Sequence, residues 1–530
     1  MKYQLKIYVG LSFLILLSSC KGFLDETPES FLSPTTFFNS ERNIEVAVNG
    51  VYDVLGARGL GAGLNFGNYN QGLLFMGEHG TDQMRAPNDD PSNRFHQLDL
   101  YAYTSSADVP TQVWRAHYVG INRANTVISR VELLLDDPEF NHENLLRYIA
   151  EVRFLRALYY FNLVRFYGAV PLKLTETASL TANDVVSIAR SPEIDVYEQI
   201  EQDLLFAQEH LLMPSVLADT ENGRVTKTAA WSLLSRVYLT WAGYPLKDES
   251  KWEQAANYAK KVIDSGEHSL MADYVNVFGV VDRSTEVNPE IIYAVKFSNV
   301  TGEGCTLGIV NGIIGLQGAN AKIPGISASD GTIRVEEYYY NSFDPDDQRR
   351  DWTCSAFRVR PDGSTVPLNP NQMEKNIGMA KWRRDGSFVG GPNSPYDYPL
   401  IRYADVLLMY AEATAQANGA PTFESYEAVN MVRRRAFGKP FDIPDPTIDY
   451  SGLSLSEFID AVLQERSWEL CSEDCSRWHD LIRYERLGEV VKAVKRPSVL
   501  EYFDESKHKL FPIPLLEMDS NPLVKQNPGY

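Results

Sequence analysis

The chain has 530 residues, 44% of them apolar and 23% charged. That is ordinary globular composition, and it excludes a disordered or collagen-like protein. Seventy acidic against 50 basic residues give a formal charge of −20, which repels phosphate backbones and argues against nucleic acid as a partner. The length allows several domains of about 150 residues, or one large helical solenoid.

The N-terminus reads MKYQLKIYVGLSFLILLSSC. Lys2 and Lys6 form a charged start, and residues 7–17 form a short apolar run. A membrane span needs about 20 apolar residues, so residues 1–19 read as a signal peptide. The run ends in Leu17-Ser18-Ser19-Cys20, the pattern of a bacterial lipobox. Small residues suit the peptidase, and the Cys20 thiol takes the diacylglycerol. A lipoprotein N-terminus with two or three acyl chains holds a membrane firmly. Cys20 is therefore the expected anchor, and the rest of the chain is expected outside the bilayer.

Helical periodicity dominates the remainder of the chain. Residues 112–134 are amphipathic, while 143–167 (ENLLRYIAEVRFLRALYYFNLVRFY) are apolar on nearly every side, as a buried central helix would be. Arg153 and Arg156 lie inside that wrap and require acidic or carbonyl partners. Gly168 and Pro171 end the helix. Further helices are expected at 196–212, 226–243, 252–265, 400–418, 423–436, 456–470 and 475–487. Several pair as helix–turn–helix units in which Ala and Ser alternate with Tyr, Trp and Leu. Small residues let helices approach and rings fill the grooves, which is tetratricopeptide-like logic with a degenerate period. The expected fold is mainly α: a superhelical scaffold of such pairs, with long irregular insertions and a few short strands. The insertions are 56–72, 298–331 and 360–396, rich in Gly with Asn or Pro. Loops of that length on a rigid scaffold are where binding is expected.

No catalytic signature appears: neither G-x-S-x-G nor H-E-x-x-H, nor a phosphate-binding glycine loop. His and Cys show no zinc spacing, so neither metal nor cofactor is expected. DPDDQRRDW, at 344–352, lacks the glycine and terminal glutamate of a calcium loop and reads as a helix start. His79 and His96 flank an acidic loop and read as surface residues. His479 reads as a helix residue satisfied by a hydrogen bond. Cys305, Cys354, Cys471 and Cys475 allow three disulfide pairings. Cys471 and Cys475, four apart on an expected helix, are poorly placed for a bridge.

Longer stretches now carry a resemblance. CKGFLDETPESFLSPTTFF follows the leader, AEVRFLRALYYFNLVRFYGAVPL forms the central helix, and QERSWELCSEDCSRWHDLIRYERL comes late. The chain ends in FPIPLLEMDSNPLVKQNPGY. The chain resembles, from Cys20 to Tyr530, the SusD/RagB family of outer-membrane nutrient-uptake lipoproteins. The resemblance implies one domain over 20–530, with interdependent parts at about 20–320 and 321–530. It implies a lipid-tethered protein on the outer face of the outer membrane. The implied role is non-catalytic capture of an oligosaccharide or polysaccharide and its delivery to a SusC-like TonB-dependent barrel transporter. A glycoside hydrolase on a helical scaffold and a repeat scaffold that binds only protein are the alternatives. Asp474-Cys475-Ser476 stands where members commonly have a shorter Glu-Gly turn. Starch-binding members hold their ligand on an arc of rings, whereas residues 298–337 contain no Phe, Tyr or Trp. The site is then either more polar, using Asn311, Gln317, Asn320 and Asp330, or draws its rings from elsewhere.

Sugar recognition needs a flat apolar face, with amides, carboxylates or guanidinium groups for paired hydroxyls. The segment 65–101 supplies both. Phe66, Tyr69 and Asn70 come first, then Asp82, Arg85, Asn88 and Tyr101. With Asn320 these are the expected ligand residues, while Trp114 and Tyr118 read as core and Trp382 as a strand residue of the scaffold. Replacing Cys20 with Ala should release the protein from the membrane fraction or leave it unprocessed; unchanged acylation and membrane recovery would overturn the anchor assignment.

Overall fold

The computed structural model describes residues 37–56, 68–177, 188–218, 221–278, 288–297, 331–359, 364–382 and 397–530, the side chain of Asn70 excepted. The first helix among the described residues, α1 (Glu41–Gly56), buries Ile44, Val48, Val51 and Leu55 at helical spacing. Helix α2 (Leu73–Glu78) is buried throughout. Strand β1 (Met84–Arg85) leads to α3 (Asp108–Glu132) and the central helix α4 (His142–Tyr167). The Asn141 side chain accepts from the Asn144 N–H at the start of α4, and Gly168, at φ 71, ends it. Where α3 crosses α4, a Cβ at Gly120 would lie 2.5 Å from the Tyr159 ring, so this close approach needs glycine.

The apolar wrap of α4 is buried as expected, and its arginines find acids. Arg156 grips Asp203 through Nε and Nη2 at 2.8 and 2.7 Å. Arg153 lies nearer the edge, pairing with Glu132 at 3.0 Å and covering the Phe206 ring. Helices α5 (Glu193–His210), α6 (Lys227–Trp241) and α7 (Lys251–Ser265) continue the succession, each packing on the one before. Ala229, Ala230, Ala255 and Ala259 are fully buried where these helices meet.

The strands are short. Strand β2 (Ile291–Val295) pairs antiparallel with β6 (Tyr398–Arg402). Between them lie β3 (Arg334–Val335), α8 (Gln348–Thr353), β4 (Cys354–Ser355) and β5 (Gly378–Met379). A small antiparallel sheet has the order β1-β3-β5-β4. The DPDD segment starts α8 as expected, with the Asp347 side chain accepting from the Arg349 N–H. Helices α9 (Tyr403–Asn418), α10 (Phe423–Ala436) and α11 (Leu455–Glu469) come next, the last two opened by reciprocal capping boxes.

The expected helix at 475–487 is two helices, α12 (Ser476–Arg483) and α13 (Leu487–Val494). Glu485 takes φ 55 between them, which a right-handed helix cannot continue through. Nor do Cys471 and Cys475 share a helix. Helix α11 stops at Glu469, and Ser472, Asp474 and Cys475 adopt φ of 65, 43 and 57. The turn aims neighbouring carboxylates inward: Glu473 meets Lys381 and Arg402, and Asp474 meets Arg236. Cys354, Cys471 and Cys475 are buried and form no disulfide with one another; Cys305 lies outside the described residues.

Those carboxylates belong to buried ion-pair clusters. Arg402 meets Glu290, Glu469 at 3.1 Å and Glu473 at 2.6 Å. Arg435 joins the same Glu290 and Glu469 at 3.0 and 2.6 Å. Arg349 adds Glu465 at 2.7 Å and Glu469 at 3.2 Å. A second chain runs from Arg236 through Asp405, Arg466 and Asp480 to Arg483 and Glu412.

Removing one partner of a buried pair costs about 3–5 kcal/mol, because the other charge is left uncompensated. Arg402→Met should lower stability by about that amount in urea unfolding; a change under about 1 kcal/mol would mean the cluster is not holding the fold. Acid should act on the second chain. Burial alone would raise the Asp405 pKa, but Arg236 and Arg466 outweigh it and hold the group at about 2, against 3.8 unperturbed. A depressed folded pKa contributes stability above the unfolded value and loses it as pH falls through the folded one. Wild type should therefore lose about 2 kcal/mol more than Asp405→Asn between about pH 4 and pH 2. Parallel acid profiles for the two proteins would contradict this.

Candidate functional site

The structure disperses the expected ligand residues. Cys20, Phe66 and Asn320, and the Asn70 side chain, lie outside the described residues. Tyr69 is buried, accepting from Asn162 Nδ2 at 2.7 Å with its ring beside Tyr398. Burial, and then the Asp474 charge, push its hydroxyl pKa well up. Asp82 receives a two-pronged grip from Arg477, at 2.8 and 2.6 Å. Arg85 is 4% exposed, with Nη1 donating to the Glu374 carbonyl at 3.0 Å and Nε to that of Ala86 at 3.4 Å. Tyr101, at φ 59, is buried and donates to the Gly80 carbonyl at 2.7 Å. Asn88 alone of the described set is exposed. It rides on a loop pinned by Asp89, which accepts from Arg496 at 2.5 Å and Ser498 at 2.7 Å.

The histidines correct the sequence reading. His79 and His96 are buried, not on the surface. The loop folds inward, so His79 Nδ1 meets the Phe95 carbonyl at 3.0 Å and burial lowers its pKa to about 4. His479 lies in α12 as expected, but its Nε2 meets no partner among the described residues. Trp114 is core as expected, packed edge-on against Tyr167. Tyr118 is half-buried, its hydroxyl bound to the Pro171 carbonyl. Trp382 belongs to the scaffold through a turn after β5, where its Nε1 donates to Ser472 Oγ at 3.0 Å.

A cavity of about 500 Å³ lies elsewhere, between α1, the turn 221–224 and the end of β2. Its walls hold the stems of the Gly-rich segments. Helix α1 ends in it at Gly56, and the chain after β2 leaves it at Phe297. These stems touch: a Cβ on Gly56 would lie 2.8 Å from the Phe297 ring. Gly223, at φ 106, lies against Lys296, where a Cβ would come within 2.7 Å of its Cγ. Lys296 in turn pairs with Asp397 at 2.7 Å, the stem that opens β6. The insertions at 56–72, 298–331 and 360–396 were visible in the sequence, but not that the stems of the first two line one cavity and that the stem of the third pairs with its Lys296.

The lining combines rings with fixed polar groups. Tyr52 donates to Glu151 at 2.9 Å and accepts from the Val225 N–H at 3.0 Å. Burial, and next the Glu151 charge, raise its pKa well above the usual value. Arg224 ties Glu151 to Glu45 at 2.8 and 2.7 Å. Asp53 pairs with Arg123 at 3.1 Å. Asn49 and Asn222 are exposed at the rim, and the Asn222 amide meets no partner among the described residues. No group of His, Cys, Asp and Glu among the described residues could hold a metal ion.

Comparisons with known proteins cover both halves of the chain. The profile of the SusD family matches residues 266–530. A profile described as starch-binding associating with outer membrane matches residues 22–239. SusD-like protein P25 of Formosa agariphila is 27% identical, across 99% of this chain and 98% of its own. The starch-binding protein SusD of Bacteroides thetaiotaomicron is 23% identical, across 81% of this chain and 83% of its own. The crystal structure of a SusD homolog from the same species superposes with a TM-score of 0.82 at 29% identity, covering 94% of this chain and 98% of that one. With one profile spanning half its length and a full-length relative of the same fold, the chain belongs to the SusD family.

Proposed function

We propose that this protein binds a glycan in the cavity between α1 and β2 without cleaving it. It does so tethered through Cys20 at the outer face of the outer membrane, and hands the glycan to a SusC-like TonB-dependent barrel. The carrying observation is that the stems of two long insertions, at Gly56 and Phe297, meet in one ring-and-amide cavity on the helical scaffold, and that Asp397, the stem of the third, pairs with Lys296 of its wall. Tyr52 and Phe297 supply apolar faces, and Asn49, Asn222 and Lys296 supply directional groups for hydroxyls. The family's association with starch and the outer membrane supports both ligand class and place. Asn88 belongs to the proposal as a second exposed contact. Asp82, Arg85 and Tyr101 act as positioning residues for the loop bearing it, and Tyr69 is held in the core by Asn162.

Binding without cleavage is also supported by the carboxylates. A glycosidase keeps one carboxyl protonated near neutral pH as its acid. In this cavity Glu45 and Asp53 are paired with arginines. Glu221 is held below the usual carboxylate range, mainly by its hydrogen bond from Arg147. Burial raises the pKa of Glu151 beneath the cavity, but that group is closed off from the opening and held by Arg224 and Tyr52.

Calorimetry with maltohexaose and laminarihexaose tests the reading. One of them should bind without new reducing ends; cleavage would support a hydrolase, and silence with a retained protein partner would support a protein-binding scaffold. Asn222→Ala should weaken binding about twofold to tenfold, the loss of about 0.5–1.5 kcal/mol, with little change in melting temperature. Trp114→Ala should do the reverse, costing about 3–5 kcal/mol of stability at near-normal affinity. Equal binding by Asn222→Ala and wild type would move the ligand out of this cavity. Purification from mildly solubilised outer membrane should recover a large β-barrel with the protein; a lone monomer across several detergents would remove the transporter from the reading.

A further inference from the structure

A second cavity, of about 570 Å³, opens at the other end of α6. The 15 residues of that helix separate the two cavities by about 20 Å, at about 1.5 Å of rise per residue. Its walls are Tyr244 from the turn after α6, Trp252 from the start of α7, Gln416 from the end of α9, and Tyr484 and Glu485 from the end of α12. The turn is held hard against α12. The Tyr244 N–H donates to the Arg483 carbonyl at 2.9 Å. A Cβ on Gly243 would lie 2.9 Å from that same oxygen.

Two features set this cavity apart from a packing gap. Lys247 and Glu485 face each other across its mouth, and both adopt positive φ, 54 and 55. L side chains avoid that region, and such conformations cluster where a ligand is clamped. Their side chains pair with one another. The second feature is unused hydrogen-bonding capacity. The Trp252 indole N–H, the Tyr244 hydroxyl and the Gln416 Oε1 bond to no described residue and are open to solvent at the cavity. The Gln416 amide is nevertheless fixed, since its Nε2 donates to the Tyr484 hydroxyl at 3.2 Å, which itself donates to Glu412 at 2.7 Å.

Charge decides the class of ligand. Lys247 and Lys509 stand against Glu485 and Glu249 around the opening. Arg483 is neutralised beneath it by Glu412 and Asp480. A site for phosphate or carboxylate would carry surplus positive charge; this one is balanced. Its mixture of ring walls, single donors and single acceptors suits an uncharged polyhydroxylated group. We propose that this cavity is a second carbohydrate-binding site, taking one or two uncharged sugar units. Two sites on one rigid scaffold would hold a long glycan by avidity where a short one is held by either alone.

Titration calorimetry with maltohexaose and laminarihexaose should give two sites per protein for whichever sugar binds. Trp252→Phe keeps the ring and removes the donor; combined with Gln416→Leu it should leave one site and an unchanged melting temperature. Retention on amylopectin or laminarin gels should fall by roughly a hundredfold as avidity is lost. Hydrogen exchange on the wild type gives an independent reading: saturating hexasaccharide should slow exchange across residues 242–253. A single site in the wild type that Asn222→Ala weakens about twofold to tenfold, and that the Trp252→Phe and Gln416→Leu variant keeps, would overturn this proposal and leave the first cavity standing. A single site lost in the Trp252→Phe and Gln416→Leu variant but kept in Asn222→Ala would do the opposite. Binding of neither sugar, or no protection at 242–253, overturns the second site.

Discussion

Arg402 lies at the end of β6, fully buried, and shares Glu290, Glu469 and Glu473 with Arg435, Arg349 and Lys381. That cluster ties the C-terminal half together. It joins the approach to β2, the start of α8, the end of α10 and the turn after α11, segments far apart in sequence. Burying so many charges is unfavourable unless every one is met, and a half-satisfied network is worse than an apolar core. The left-handed turn at 472–475 meets this demand. Two adjacent carboxylates must face inward toward different arginines, and an ordinary helix would send them to different sides.

The cavity beside α1 uses the same device on a smaller scale. Glu151 lies fully inside α4 and receives both Tyr52 and Arg224. A carboxylate of the central helix thereby fixes a ring of the cavity and the turn next to it. Tyr52 and Arg224 of the cavity wall are thereby fixed by the protein itself, and the proposed binding step would have little left to order there. On this scaffold rigidity falls to charge pairs below the surface, with Asn49 tied to Arg224 at 3.3 Å and the Asn222 amide exposed beside it.

The sequence carried most of the architecture. The helices expected from periodicity exist within a few residues of their bounds, because amphipathic spacing and terminal Gly and Ser or Thr are local signals. The exception is 475–487, split where Glu485 turns left-handed, and no residue type there marks the break. The buried arginines of α4 were legible because an apolar wrap around a charge is itself a local pattern. The side-chain roles in 65–101 were not. Arg85, Asp82 and Tyr101 look like ligand groups in a polar loop, yet each is engaged by protein. Asp82 and Arg477 are separated by 395 positions, and nothing near Asp82 announces its partner. His79 and His96 failed for the same reason, since an acidic neighbourhood in sequence says little about what folds over it. The cavity shared by two of the insertion stems became visible only once Gly56, Gly223 and Phe297 were placed in space.

The contact of Gly56 with Phe297 bears on how such proteins diversify. Both stems are locked by contacts that lie wholly within the scaffold: one by ring packing, the other through Lys296 and Asp397. The chain beyond them can therefore be exchanged, lengthened or shortened with little effect on the folding free energy, because the cost of loop closure grows only slowly with length. Insertion length and structural integrity become separately heritable traits. A lineage can rewrite the insertions while the helical frame is inherited unchanged.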